Sequence, residues 1–219
     1  MEITPKSGGA TTIAGRLETV YAAANQSELQ AAYDDWAEDF DRDCVRRGGR
    51  QAFLVGGLVA RFVEPGSGPI LDAGAGTGLL GEFMSFCGFH RLVGIDMSPS
   101  MLAVAAQKHV YEQLQIATLG NVLNFEDGSF SAVVAAGVFT AGHASPDSFD
   151  ELIRVTRPGG HVIFSVNSQV FHDGFEDRQN ALVQAGTWQP VYRTGPHPIM
   201  AADASAATAL FFVYQRGDR

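Results

Sequence analysis

At 219 residues, with 46% hydrophobic and 18% charged residues, the chain is long enough for one globular domain to bury its own core. A formal net charge of -9 argues against nucleic acid as a partner, because phosphate contacts need a basic stripe and the sequence has none. The longest uncharged apolar run, around 132–142, falls well short of a membrane span, no signal-peptide pattern stands at the N-terminus, and Cys44 and Cys87, isolated and without a CxxC, suit a reducing compartment, so a cytoplasmic protein without membrane contact is expected.

Residues 1–10, polar and Gly-rich, read as a mobile tail. Over 11–31, Ile13, Leu17, Val20, Tyr21 and Ala24 recur at helical spacing. A second helical stretch from Ser27 puts Tyr33, Trp36, Ala37 and Phe40 on one face, and the acids and arginines between Asp34 and Arg50 read as its solvated side. A third, 50–63, sets Phe53, Leu54, Leu58 and Phe62 together before Pro65-Gly66-Ser67-Gly68 breaks the chain. Strands and helices then alternate. A strand over 69–73 enters a glycine turn, and the helix that leaves it turns Leu79, Leu80, Phe83 and Met84 inward. A strand over 92–95 ends at Asp96, with Ser98 as N-cap and Pro99 as first residue of a helix through His109. A weaker strand, 115–117, and a buried one, 132–136, follow. Ser145-Pro146 is expected to cap a helix carrying Phe149, Leu152, Ile153 and Val155, and Arg157-Pro158-Gly159-Gly160 to stop it before a strand over 161–166. A helix near 173–185, a strand near 188–193, a loop rich in Gly, Pro and Ala, and a last strand over 208–214 complete the pattern.

This alternation predicts an α/β, Rossmann-like, doubly wound sheet in three αβα layers, mostly parallel, with an antiparallel last strand because no long helix precedes it. The expected organisation is a single domain over 11–219, in which helices within 11–64 cap the carboxyl edge of a core over 65–219.

The strongest local signal is Ile70-Leu71-Asp72-Ala73-Gly74-Ala75-Gly76-Thr77-Gly78, a glycine loop with a strand before it and a helix after it. Gly74 permits the tight turn, Gly76 lets ligand atoms approach the backbone, and Gly78 lets the helix pack on the strand. Asp96, at the end of the second strand, is placed for the hydroxyls of a ribose. The dinucleotide fingerprint GxGxxG would need a glycine where Leu79 stands, and Asp72 would repel a pyrophosphate. A carboxylate there suits a cofactor with a cationic end. No GxxxxGK[ST] loop is present.

These residues resemble the class I S-adenosylmethionine-dependent methyltransferases: ILDAGAGTG is similar to their first motif and LVGIDMSPSML to their second. FEDGSFSAVVAAGVF is similar to their segment around the fourth strand, and ELIRVTRPGGHVIFSV to the helix and strand that follow. Within the class, YDDWAEDFDRD and GFEDRQNALVQAGTW resemble methyltransferase-like proteins related to the Williams–Beuren-region methyltransferase. The resemblance implies S-adenosylmethionine as cofactor and S-adenosylhomocysteine as product. It implies that Asp72 meets the methionine ammonium through water, and that Ala73, Gly74 and Gly76 pass under the methionine and ribose portions. Asp96 would take the ribose hydroxyls, Met97 would lie against the adenine, and Tyr33 and Trp36 would close the methionine end. Leu119 stands where many members have an adenine-binding Asp, so backbone near Leu119 and Gly120 would hold the base. Ser131 replaces another usual Asp and is expected to leave the end of its strand less polar.

Methyl transfer needs orientation and, for some acceptors, a base. His143, just past the fourth strand, is the best-placed candidate, and His172 and His197 have weaker claims. No Asp/Asn-Pro-Pro-Tyr follows that strand and no metal-ligand spacing is present. The loop 194–206 is expected to wall the acceptor side. The function that emerges is methyl transfer to a small-molecule acceptor, with a non-catalytic S-adenosylmethionine-binding protein as the alternative; Leu79 and Asp72 disfavour a nicotinamide-dependent oxidoreductase.

Overall fold

The computed structural model describes residues 12–201 and 207–218, so the expected tail over 1–10 lies outside it. Three helices come first: α1 (Ile13–Ala22), α2 (Gln26–Arg47) and α3 (Gln51–Phe62). The single apolar stretch read over 11–31 is broken at residues 23–25 by a reciprocal cap. Asn25 Oδ1 accepts from the Glu28 amide at 3.0 Å, while Glu28 Oε2 accepts from the Ala24 amide at 2.9 Å, which satisfies donors that a helix start leaves orphaned. Strands and helices then alternate as β1 (Ile70–Ala73), α4 (Leu79–Phe86), β2 (Leu92–Asp96), α5 (Pro99–Gln107) and β3 (Gln113–Ile116). Next come β4 (Phe130–Phe139), α6 (Ser148–Val155), β5 (Thr156–Asn167), a π-turn (Phe171–Phe175) and α7 (Glu176–Gln184). The chain ends on β6 (Trp188–Arg193), a two-residue β7 (His197–Pro198) absent from the sequence reading, and β8 (Thr208–Arg216).

The strands form one sheet in the order β3-β2-β1-β4-β5-β8-β6, with β7 paired to β8. β1 to β5 pair in parallel, and β8 runs antiparallel between β5 and β6, as expected for the last strand. Period-two alternation assigns the side chains to two apolar layers. Leu71, Val133, Phe164 and Phe212 face one layer with Phe149 and Leu152 of α6 and Leu182 of α7. Ile70, Val134, Ile163 and Phe211 face the other with Val55 and Val59 of α3 and Leu80 and Met84 of α4.

Four expectations need correction. α3 is a layer helix more than a cap: its buried face is Val55, Leu58 and Val59, whereas Phe53 and Leu54 are exposed. Arg157-Pro158-Gly159-Gly160 does not end a helix but lies inside β5, because α6 has already stopped at Val155. Ser145 and Pro146 do not cap α6; their carbonyls accept from Ser148 and Phe149 in a turn, and the helix starts behind Asp147 without a side-chain cap. Ser131 stands near the start of β4, not its end, and its hydroxyl donates to the Pro69 carbonyl at 3.0 Å. Among the described residues no helix is long and apolar enough to cross a membrane.

Candidate functional site

β2 and β3 extend from one side of β1, and β4 and β5 from the other, so the chain leaves a crevice at the carboxyl ends of β1 and β4, where the winding reverses. A cavity of about 690 Å³ opens there, walled by residues of α1, α2, the start of α3, the glycine turn, the loops after β3 and β4, and Ile199–Met200.

Gly74, Gly76 and Gly78 all have positive φ (86°, 54° and 85°), which L side chains adopt only at a cost. Their surroundings differ. A Cβ on Gly74 would lie 2.4 Å from Val138 Cγ2, and one on Gly78 3.1 Å from the Tyr111 ring and 3.2 Å from Ala105 Cβ. A Cβ on Gly76 would meet nothing within 4 Å. Gly74 thus lets β4 close against the turn, Gly78 admits α5 and Tyr111, and Gly76 is bare toward the cavity. Asp96 braces the turn: Oδ2 accepts from the Gly76 amide at 2.8 Å and Oδ1 from the Ser98 amide at 2.9 Å. Burial nonetheless raises its pKa above the usual carboxylate range.

Asp72 is almost fully buried at the end of β1. Its Oδ2 accepts from the Tyr111 hydroxyl at 2.7 Å; Asp72 lines the cavity, and no described residue donates to its other oxygen, Oδ1. Burial pushes this carboxyl up to about 7; the Tyr111 bond opposes the rise and the nearby Asp96 charge adds to it. A cation arriving at Oδ1 would restore the charged form.

Helix α2 is fastened over the turn by the acids expected to be solvated. Asp34 Oδ1 accepts from the Ser98 hydroxyl at 2.6 Å and the Ser100 amide at 3.1 Å, at the start of α5. Asp41 accepts from the Thr77 hydroxyl and pairs with Lys108 at 2.7 Å. Buried Asp43 accepts from the Trp36 indole at 2.9 Å and pairs with Arg16 at 3.3 Å. Their spacing was the available clue: Asp34 and Asp41 lie seven residues, two helical turns, apart.

Tyr33 and Trp36 line the cavity from α2. Trp36 contributes only its ring, since its N–H is directed to Asp43. The Tyr33 hydroxyl lies 2.7 Å from His143 Nε2, and His143 Nδ1 lies 2.8 Å from the Ala141 carbonyl. A carbonyl can only accept, so Nδ1 carries the proton and Nε2 receives the Tyr33 hydroxyl. Burial lowers the His143 pKa and, with the Asp96 charge contributing, raises that of Tyr33.

Met97, Leu119 and Gly120 also reach the cavity. Ala73 does not: its methyl lies in the apolar layer with Leu71. His172 sits at an exposed site on Glu176, and His197 is exposed on β7; neither lines the cavity. Of the loop 194–206, Ile199 and Met200 form part of the wall, and 202–206 lie outside the described residues. The sequence reading missed Tyr111, Thr118, Asn121 and Cys44. Cys44 lines the cavity with a thiol pushed up to about 12, chiefly by burial, and is not a nucleophile at neutral pH.

A glycine turn bare toward a cavity, an acid at the end of the neighbouring strand and a buried carboxylate beside them match the arrangement expected from the resemblance to S-adenosylmethionine-dependent methyltransferases. The methyltransferase domain model matches residues 71–164. The chain is 29% identical over 191 residues to methyltransferase-like protein 27 of Homo sapiens, covering 84% of this chain and 78% of that protein. It is 39% identical over 66 residues to an 18S rRNA guanine-N(7)-methyltransferase of Saccharomyces cerevisiae, covering 30% of this chain and 24% of that protein. The fold is similar to that of a TehB-like S-adenosylmethionine-dependent methyltransferase of Corynebacterium glutamicum, with a TM-score of 0.61 at 19% identity, covering 85% of this chain and 98% of the other. The chain thus carries a methyltransferase domain, and over most of its length it is similar in sequence to a methyltransferase-like protein and in fold to S-adenosylmethionine-dependent methyltransferases.

Proposed function

We propose that this enzyme methylates a small molecule, with His143 as the base. The supporting observation is the layout of one cavity: a bare glycine turn with Asp72 and Asp96 on the β1/β2 side, and the Tyr33–His143 pair facing it from α2 and the loop after β4. When bound, S-adenosylmethionine supplies a methyl group activated on a sulfonium. Asp72 Oδ1 receives the ammonium of its methionine end, directly or through one water, and Asp96, with lone pairs left after its two backbone contacts, receives the ribose hydroxyls. Gly74 and Gly76 form the floor, Met97, Leu119 and Gly120 border the adenine, and Tyr33 and Trp36 close the methionine end.

In the proton path we assign, the acceptor's proton passes to the Tyr33 oxygen as the Tyr33 proton moves to His143 Nε2, so no free phenolate forms. The depressed His143 pKa keeps Nε2 unprotonated and ready at neutral pH. A small acceptor rather than a polynucleotide is supported by the net charge of -9 and by a wall with Arg50 as its one permanent cation among the described residues, too little positive charge to hold a phosphate backbone. We assign the N-terminal helices to the same folding unit as the sheet, and a cytoplasmic setting fits the two free thiols.

The test is a thermal-shift titration with S-adenosylhomocysteine, followed by transfer of labelled methyl groups into a metabolite extract. Tm should rise for the native chain and not for Asp96→Ala, and label should enter small molecules but not added RNA. Label in RNA alone refutes the acceptor class; cofactor binding without transfer to anything leaves a binding protein.

A further inference from the structure

We propose that the acceptor is an amphipathic carboxylate, an apolar body bearing one anionic group, held at Arg50 on the β4/β5 side of the cavity; this rests on the methyltransferase reading and names the substrate class of the same site. The cavity is electrically polar from end to end. Its two carboxylates, Asp72 and Asp96, sit at the ends of β1 and β2. Arg50, the one permanently cationic residue among the described residues that line it, stands opposite. Its backbone N–H donates to the Ile199 carbonyl at 2.9 Å. The next side chain, Gln51, reaches Ser165 of β5 at 3.4 Å, and the Ser165 hydroxyl in turn accepts from the Gly137 amide of β4 at 3.0 Å. An anion is therefore repelled from the floor that suits the ammonium of the cofactor and attracted to the far side.

The cavity that Arg50 lines also carries exposed apolar side chains. Tyr21 of α1, Val45 of α2 and Phe53 of α3 line the same cavity at 52%, 71% and 50% exposure. Large apolar side chains from three helices left in solvent along one cavity mark a surface that a ligand covers. α3 also begins at Arg50 without a side-chain cap, and its first residues, Gln51, Ala52 and Phe53, line the cavity, so the positive end of a helix adds to the guanidinium. A purely apolar acceptor would leave Arg50 desolvated without a partner, and a strongly polar one would leave Val45 and Phe53 wet.

Calorimetry on the full chain loaded with S-adenosylhomocysteine tests this with three matched probe pairs: 2-naphthoate and 2-naphthamide, indole-3-acetate and its amide, and octanoate and octanamide. We expect at least one acid to bind at least tenfold more tightly than its amide to the native chain. Arg50→Gln should remove that preference, and Arg50→Lys should keep part of it. Affinity for S-adenosylhomocysteine should be unchanged in both variants, which also shows that they are folded. Equal binding of acids and amides, no binding of any acid at millimolar concentration, or an unchanged preference in Arg50→Gln overturns the proposal. So does a tenfold loss of S-adenosylhomocysteine affinity in Arg50→Gln, which would give the arginine to the cofactor's own carboxylate. Failure of S-adenosylhomocysteine to bind the native chain defeats the methyltransferase reading instead.

Discussion

Replacing Asp72 with Asn should stabilise the ligand-free enzyme and weaken its hold on the cofactor, two effects of opposite sign from one atom. In the folded chain burial moves this carboxyl from 3.8 to about 7, and at about 1.4 kcal/mol per pKa unit ionised Asp72 opposes folding by on the order of 4 kcal/mol. The folded pKa is raised, so the stability tied to this group is complete below the unfolded value of 3.8 and is lost as pH rises through about 7. By linkage the loss is about 1.5 kcal/mol at pH 5 and about 4 kcal/mol at pH 8. Asn keeps the carbonyl oxygen that accepts from Tyr111 but has no charge to bury. The stability gap between Asp72→Asn and the native chain, read from urea unfolding, should therefore widen by roughly 2.5 kcal/mol between pH 5 and pH 8. At pH 8 the variant should bind S-adenosylhomocysteine about ten- to a hundredfold more weakly, the loss of one charge-assisted contact, and the deficit should shrink toward pH 5 as the native carboxyl protonates. A gap that stays flat with pH, or an affinity that does not change, would refute the argument that this carboxylate is buried at a cost to receive a cation.

Further outcomes follow from the same geometry. Binding of S-adenosylhomocysteine near pH 7 should release protons, seen as a calorimetric heat that depends on buffer ionisation, because an ammonium at Asp72 pulls its raised pKa down; buffer-independent heat would count against it. Gly74→Ala should cost about 3 kcal/mol of stability, since positive φ and a Cβ 2.4 Å from Val138 act together. Gly76→Ala, with open space at its Cβ, should cost about 1 kcal/mol yet reduce cofactor affinity more. Once an acceptor is found, kcat/KM should fall as pH drops through the depressed His143 pKa, below 6.5; Tyr33→Phe should lower kcat, and His143→Asn should flatten that acid limb. Asp41→Ala, which frees Thr77 and Lys108 from α2, should cost about 1–3 kcal/mol and speed cofactor release in stopped-flow measurements.

The parts of the fold legible in the sequence are those written in apolar periodicity. The alternation of Leu71 and Val133 with Ile70 and Val134 between two layers is a local pattern, and it places the glycine turn and Asp96 without any knowledge of tertiary contacts. The parts that were not legible depend on polar partners distant in sequence. Tyr111 is 39 residues from Asp72, and Asp34 is 64 from Ser98; the spacing that puts Asp34 and Asp41 on one face of α2 does not name the partner, and the Tyr111 pairing leaves no local pattern at all.

Misreading the α2 acids as a solvated face has the same origin, and it bears on how the site works. A polar helix face reads identically whether water or another helix lies against it. Here Asp34 and Asp41 turn that face into an attachment to α5 and to Thr77 of the glycine turn, while Asp43, on the Trp36 side of the helix, ties α2 to Arg16 of α1. Leu29 and Trp36 of α2 pack with Val20 of α1 in a small apolar cluster apart from the two sheet layers, so α2 is joined to α5 and the glycine turn chiefly by polar contacts that can open individually, while α3 is locked into an apolar layer by Val55 and Val59. The two walls of the cavity therefore differ in stiffness. Amide exchange should be faster along the outer turns of α2 than in the middle of α3, and S-adenosylhomocysteine, by filling the space beneath Tyr33 and Trp36, should slow the former and leave the latter unchanged. Equal protection of both helices in the ligand-free chain would mean that α2 is no lid, and that the cofactor enters from the open side marked by Val45 and Phe53.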